Sequence, residues 1–148
     1  MSIPLLYLDT SAWLKLYVEE DGSEAVHAAV EQAEQTCTHL IAYAELRAAL
    51  AKAQRMQRLE AAQKAQLLPI IDNDWQTLNV ILPTEMLVKR AGNLADQFGL
   101  RGYDSIHLAA AEAISLQIMP QPLVFACFDK HLNEAAKVLG MTVLNQDL

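Results

Sequence analysis

Four carboxylates stand out by position. Asp9 closes the apolar run at 5–8, and Asp129 closes the apolar run at 123–128. Asp104 follows Gly102-Tyr103 at the head of a helical segment. Glu45 lies inside a helical segment with Ile41, Ala42, Ala48 and Ala49 as its i±3 and i±4 neighbours, so its side chain points inward and needs a partner. Clustered carboxylates repel and raise one another's pKa unless a cation stands among them. Oxygen ligands without a cysteine or ordered histidine set favour Mg²⁺, with Mn²⁺ as its substitute. Such an ion can activate water and stabilise a leaving alkoxide in phosphodiester cleavage. Each residue also has a plainer explanation. Asp9, Asp104 and Asp129 could each cap a helix N-terminus, and Glu45 could pair with Arg47 or Lys52.

The elements that must position these groups follow from hydrophobic spacing. Strands are expected at 5–8, 36–39, 78–82, 123–128 and 141–144. Helices are expected at 11–18, 23–33, 41–56, 59–68, 84–98, 103–116 and 129–139, with a kink or break at Pro69 and stops at Gly99 and Gly140. Strands alternating with helices, without hairpin turns, predict an α/β fold with a parallel sheet. The uniformly apolar runs at 5–8 and 123–128 suit strands covered on both faces. In such a sheet all strand C-termini share one edge, which would bring Asp9 and Asp129 together.

The chain has 148 residues and is 53% apolar, which suits one domain over 1–148 with a substantial core. No apolar stretch is long enough to span a membrane. The first thirteen residues lack a basic leader and read as a strand, so the expected location is the cytoplasm. Cys37 and Cys127 have no ligand spacing and are expected to be buried thiols. The net charge of −7 runs against direct phosphate binding, which Lys and Arg normally drive. Its distribution is uneven: Glu19, Glu20, Asp21, Glu24, Glu31 and Glu34 form an acidic block, and Arg47, Lys52, Arg55, Arg58 and Lys64 a basic one. The acidic block reads as a solvated face. The basic block reads equally as a surface tracking RNA or as the solvent side of two helices.

At this point the sequence resembles a known family. The segment from Leu8-Asp9-Thr10-Ser11 to Tyr17 is similar to the opening of PIN-domain toxins of the VapC type. Ala44-Glu45-Leu46 resembles their second motif, and Gly102-Tyr103-Asp104-Ser105-Ile106-His107-Leu108-Ala109 their third, the most specific match. Phe128-Asp129-Lys130, with Leu132, Ala135, Ala136 and Gly140, resembles the fourth. The likeness covers nearly the whole chain. It implies a PIN-like fold with a parallel five-stranded sheet flanked by helices. It also implies an Mg²⁺-dependent endoribonuclease acting through metal-activated water, with a 3′-hydroxyl and a 5′-phosphate as products. Asp9, Glu45, Asp104 and Asp129 would be the metal ligands and catalytic acids, and Thr10 or Ser11 would help hold the site. An RNA substrate, a cognate antitoxin protein and a homodimer are the implied partners.

The fourth motif departs from the family pattern. Cys127 stands where Thr or Ser is frequent, and His131 where a second acid often follows, which implies a weaker fourth ligand and is compatible with one metal. His107, one turn after Asp104, is read as a packed helix histidine with that carboxylate in reach. Trp13 and Tyr17 are read as core or dimer contacts rather than a base-stacking platform. Two other functions stay open on the residues alone. One is a non-catalytic interaction module on the same fold. The other is an aspartyl-phosphate phosphotransfer domain, which would usually show Asp-x-Asp where this chain has Asp9-Thr10-Ser11.

Overall fold

The computed structural model describes residues 2–144; the ends of the expected 1–148 domain lie outside them. Five parallel strands form one sheet in the order β3-β2-β1-β4-β5: β1 (Ile3–Leu8), β2 (Ala33–His39), β3 (Asn79–Ile81), β4 (Leu123–Ala126) and β5 (Thr142–Val143). The seven helices among the described residues are α1 (Thr10–Leu14), α2 (Ser23–Gln32), α3 (Ala42–Arg55), α4 (Ala61–Trp75), α5 (Glu85–Phe98), α6 (Gly102–Ile118) and α7 (Lys130–Val138).

Side chains alternate across a strand, so a central strand must feed two cores. In β1, Leu5 and Tyr7 pack on the face covered by α5, α6 and α7, while Leu6 and Leu8 face α1 to α4. In β4, Leu123 and Phe125 join the first cluster and Ala126 the second. The chain winds outward one way through β2 and β3, then returns to the other side of β1 for β4 and β5. The reversal of strand order therefore falls between β1 and β4. A crevice opens outside the strand ends at such a point.

Several boundaries differ from the sequence expectation. Helix α1 ends at Leu14, and hydrogen-bonded turns carry the chain on to Val18. Helix α2 gives way to β2 already at Ala33, because pairing with β1 from Ile3 onward fixes the extended register there. Helix α4 runs through exposed Pro69 to Trp75, held by buried Ile71 and by Trp75 against Trp13. Arg101, not Asp104, occupies the N-cap position of α6, and Asp104 sits within its first turn. The aromatic expectation holds in part: Trp13 is core, and Tyr17 packs edge-on against it while donating to Asp74 Oδ2 at 2.7 Å.

Candidate active site

Asp9 is the residue immediately after β1. Its amide extends the ladder to the Ala126 carbonyl, and its Oδ1 accepts from the Ser11 hydroxyl at 2.7 Å and the Ala12 amide at 2.9 Å. The N-cap explanation is therefore correct for Asp9 as local geometry. Ser11 does more than support Asp9. Its Oγ also accepts from the Phe128 amide at 3.2 Å, which ties the end of β1 to the segment after β4. Asp9 is only 5% exposed, and burial raises its carboxyl pKa, opposed in part by His107 and by the bonds from Ser11 and Ala12.

Glu45 projects from α3, which Leu46 and Leu50 pin into the second core. Its Oε1 accepts from the Thr10 hydroxyl at 2.6 Å and meets His107 Nε2 at 2.8 Å. The plainer alternative, a pairing with Arg47 or Lys52, is not found among the described residues: Arg47 donates instead to the Tyr43 hydroxyl. Burial pushes the Glu45 carboxyl up, but the bonds from His107 and Thr10 outweigh it and hold the carboxyl below its ordinary value.

His107 is buried and bonds Glu45 across the fold rather than Asp104 one turn before it. Its Nδ1 lies 2.7 Å from the Tyr7 hydroxyl. Burial holds Tyr7 protonated, so its O–H donates to Nδ1 and the ring hydrogen belongs on Nε2, facing Glu45. Tyr7, His107, Glu45 and Thr10 thus form one chain of hydrogen bonds linking β1, α6, α3 and α1.

Asp104 and Asp129 stand on the outer side of the same recess. Asp129 caps α7 through the Leu132 amide at 3.0 Å, and its own amide donates to Cys127 Sγ at 3.3 Å. The thiol of Cys127 therefore does the accepting that a hydroxyl would do there. His131 is exposed and bonds the Phe98 carbonyl. Arg101 reaches over both carboxylates, with Nε 3.2 Å from Asp104 Oδ2 and one terminal nitrogen 3.9 Å from Asp129 Oδ2.

All four predicted acids, with Thr10, Ser11, His107, Arg101 and Phe128, line one cleft of about 350 Å³. Among the described residues no three acid, histidine or thiol side chains are gathered closely enough to share one cation as they stand. The donors fit a hard divalent cation in kind, because they are carboxylates and hydroxyls. They also fit in need, because Asp9 is a buried acid whose charged form burial disfavours. Arg101 partly fills the role of counter-cation for the outer two acids. A phosphorylated Asp9 is a poor fit, since that carboxylate is buried and Oδ1 is already committed to Ser11 and Ala12.

Sequence reasoning missed Tyr7, Arg101 and His39. Arg101 was findable from its i,i+3 spacing to Asp104. His39 ends β2, is fully buried, and accepts from the Ile41 amide through Nδ1 while its Nε2 has no partner among the described residues. A cavity of about 750 Å³ lies on the α1–α4 face of the sheet around Trp13, Val30, Leu67 and Leu78, and holds none of the four acids. The acidic block is exposed apart from half-buried Glu20, which pairs with Lys15 at 2.9 Å. In the basic block Arg47, Lys52, Arg55 and Arg58 are exposed and Lys64 is half-buried.

The chain is 33% identical over 141 residues to ribonuclease VapC49 of Mycobacterium tuberculosis strain H37Rv, covering 95% of each chain. It is equally similar to ribonuclease VapC45 of M. tuberculosis strain CDC 1551. In structure it is similar to FitAcB from Neisseria gonorrhoeae, with a TM-score of 0.64 at 20% identity, covering 95% of this chain and 97% of that one. It is also similar to VapBC2 from Rickettsia felis bound to a promoter DNA fragment, with a TM-score of 0.61 at 15% identity, covering 97% and 99%. The model of the PIN domain family matches residues 6–138, and the chain belongs to that family.

Proposed function

We propose that this protein is a magnesium-dependent endoribonuclease that serves as the toxin of a toxin–antitoxin pair. The observation that carries the reading is the convergence of Asp9, Glu45, Asp104 and Asp129 on one cleft at the strand-order reversal, in a chain similar throughout to two named ribonucleases. Asp9, Glu45, Asp104 and Asp129 would hold the cation. When bound, the cation supplies Lewis-acid chemistry, making water nucleophilic near neutral pH and offsetting charge on the phosphate.

The chain's own residues do the rest. Ser11 holds Asp9 in one rotamer and binds it to the strand β4 side of the cleft. Thr10 and His107 keep Glu45 ionised and aimed inward. Arg101 offsets the charge of Asp104 and Asp129 until a cation takes its place beside them and a phosphodiester takes up the guanidinium. An acidic cleft then accepts a polyanion only together with its cation, which reconciles the net charge of −7 with an RNA substrate.

An antitoxin protein is a proposed partner, supported by the likeness to FitAcB and VapBC2, and a second copy of the chain is proposed beside it. The cytoplasm is the proposed location. Among the described residues no helix is long and apolar enough to cross a membrane. The test is cleavage of total RNA by the purified chain with Mg²⁺ or Mn²⁺, with EDTA, and with Asp104→Asn. Metal-dependent internal cleavage leaving 5′-phosphates, lost in the variant, is expected. Cleavage that persists undiminished in EDTA or in Asp104→Asn would overturn the reading.

A further inference from the structure

We propose that Tyr103, with Arg101 beside it, forms a subsite that stacks one base of single-stranded RNA next to the acidic cleft. The inference rests on the ribonuclease reading and adds where the substrate is gripped. Tyr103 is 63% exposed and belongs to neither core cluster. Among the described residues its hydroxyl has no hydrogen-bond partner, so folding gives no account of a large aromatic ring at this place. The ring lines a recess of about 370 Å³ together with Glu45, Arg101, Gly102 and Asp104. That recess shares Glu45, Arg101 and Asp104 with the acidic cleft, so the two are continuous.

The chemistry follows from what a polyanion meets there. Among the described residues, Arg101 is the one cationic side chain lining either recess. Carboxylates repel the phosphates on either side of the reacting one, so grip must come from a neutral face and a movable cation. An exposed aromatic ring beside an arginine supplies both, since any base can stack on the ring and the guanidinium can follow a phosphate. Double-stranded RNA keeps its bases stacked on one another and offers no free face, so the subsite selects unpaired nucleotides. Trp13 and Tyr17 are engaged in the second core, and Phe128, which lines the acidic cleft, packs on that core against Gly22 and under Lys15, so Tyr103 is the exposed aromatic ring of the two recesses.

The test compares wild type, Tyr103→Ala, Tyr103→Leu and Tyr103→Phe. Affinity for a labelled, cleavage-resistant analogue of an unstructured RNA oligomer is read by fluorescence anisotropy with Mn²⁺, and KM and kcat for the cleavable RNA are read under the same conditions. Stacking is worth about 1–3 kcal/mol per base, so Tyr103→Ala and Tyr103→Leu are expected to weaken affinity, or raise KM, about 5- to 150-fold. Tyr103→Phe keeps the ring face and should stay within about twofold of wild type. The change should fall on KM more than kcat. Wild-type cleavage with unchanged Kd and KM in Tyr103→Ala overturns the subsite and leaves the nuclease reading intact. A Tyr103→Ala chain whose oligomeric state shifts in light scattering also overturns it, because the ring then belongs to a protein interface. A folded wild type that neither binds nor cleaves RNA overturns both.

Discussion

Replacing His107 with phenylalanine tests the hydrogen-bond chain that organises the site. The ring is buried and bonds at both nitrogens, to Tyr7 and to Glu45. Phenylalanine is the somewhat larger ring, so no cavity opens and the loss is chiefly polar. Tyr7 is fully buried, and losing the imidazole partner of its hydroxyl costs about 1–3 kcal/mol, toward the lower end because Thr38 and the His39 backbone also bond it. Glu45 keeps its bond from Thr10, and its side chain is 24% exposed, so its loss belongs at or below the low end of the roughly 1.5–3 kcal/mol of a bond to a charged group. Together His107→Phe should destabilise the fold by about 2–4 kcal/mol, or roughly 5–15 °C in Tm for a chain of this size. Urea unfolding measures it directly. The decisive comparison is the double variant with Tyr7→Phe. Removing the hydroxyl that has lost its imidazole partner should return up to about 1 kcal/mol, making the double variant more stable than His107→Phe alone. A His107→Phe chain within about 0.5 kcal/mol of the parent, or a Tyr7→Phe effect that simply adds, would refute the network.

Arg101→Ala removes the guanidinium that competes for Asp104 and Asp129, so Mn²⁺ affinity measured by calorimetry should rise by up to about fivefold, the limit set by an exposed pair worth about 1 kcal/mol at most; an affinity that falls would count against the competition. Asp9 has a raised pKa because it is buried, so between its ordinary value of 3.8 and the raised one the folded state binds the extra proton; stability then drops as pH rises through that window and stays reduced above it. Asp9→Asn should therefore be at least as stable as the parent in EDTA at neutral pH, and the rise in parent Tm on adding Mn²⁺ should grow with pH and vanish in the variant, as thermal melts at several pH values would show. Gly22 has φ of 93° and its place is closed by the Phe128 ring, so Gly22→Ala should cost about 1–3 kcal/mol and disturb Asp129 next in sequence; a chemical melt indistinguishable from wild type would exclude that coupling.

The existence and type of most elements were legible in the sequence because each rests on local spacing. The apolar runs at 5–8 and 123–128 supplied the central strands β1 and β4, with Asp9 directly after β1; β4 ends at Ala126, so Asp129 reaches the same edge as the N-cap of α7 rather than at the strand end. Helix α5 was legible down to its ends, since Thr84 caps it through the Leu87 amide and Gly99 stops it at φ of 67°. Glu45 was legible as an inward carboxylate needing a partner, because its neighbours on α3 are small and apolar. The identity of that partner was not. Glu45 and His107 are 62 residues apart, and Tyr7 and His107 are 100 apart. Such contacts are set by strand order and helix docking, to which local periodicity carries no information. The same reason hid the end of α1, the early start of β2 and the passage of α4 through Pro69, where tertiary packing overrode local preference. By itself the sequence determined a parallel α/β chain and four acids suited to a hard cation. Only the tertiary structure decided that β1 and β4 lie side by side at the strand reversal, that a histidine and a threonine keep Glu45 charged, and that Arg101 stands over the outer acids, because each of these depends on which distant segments the sheet brings into contact.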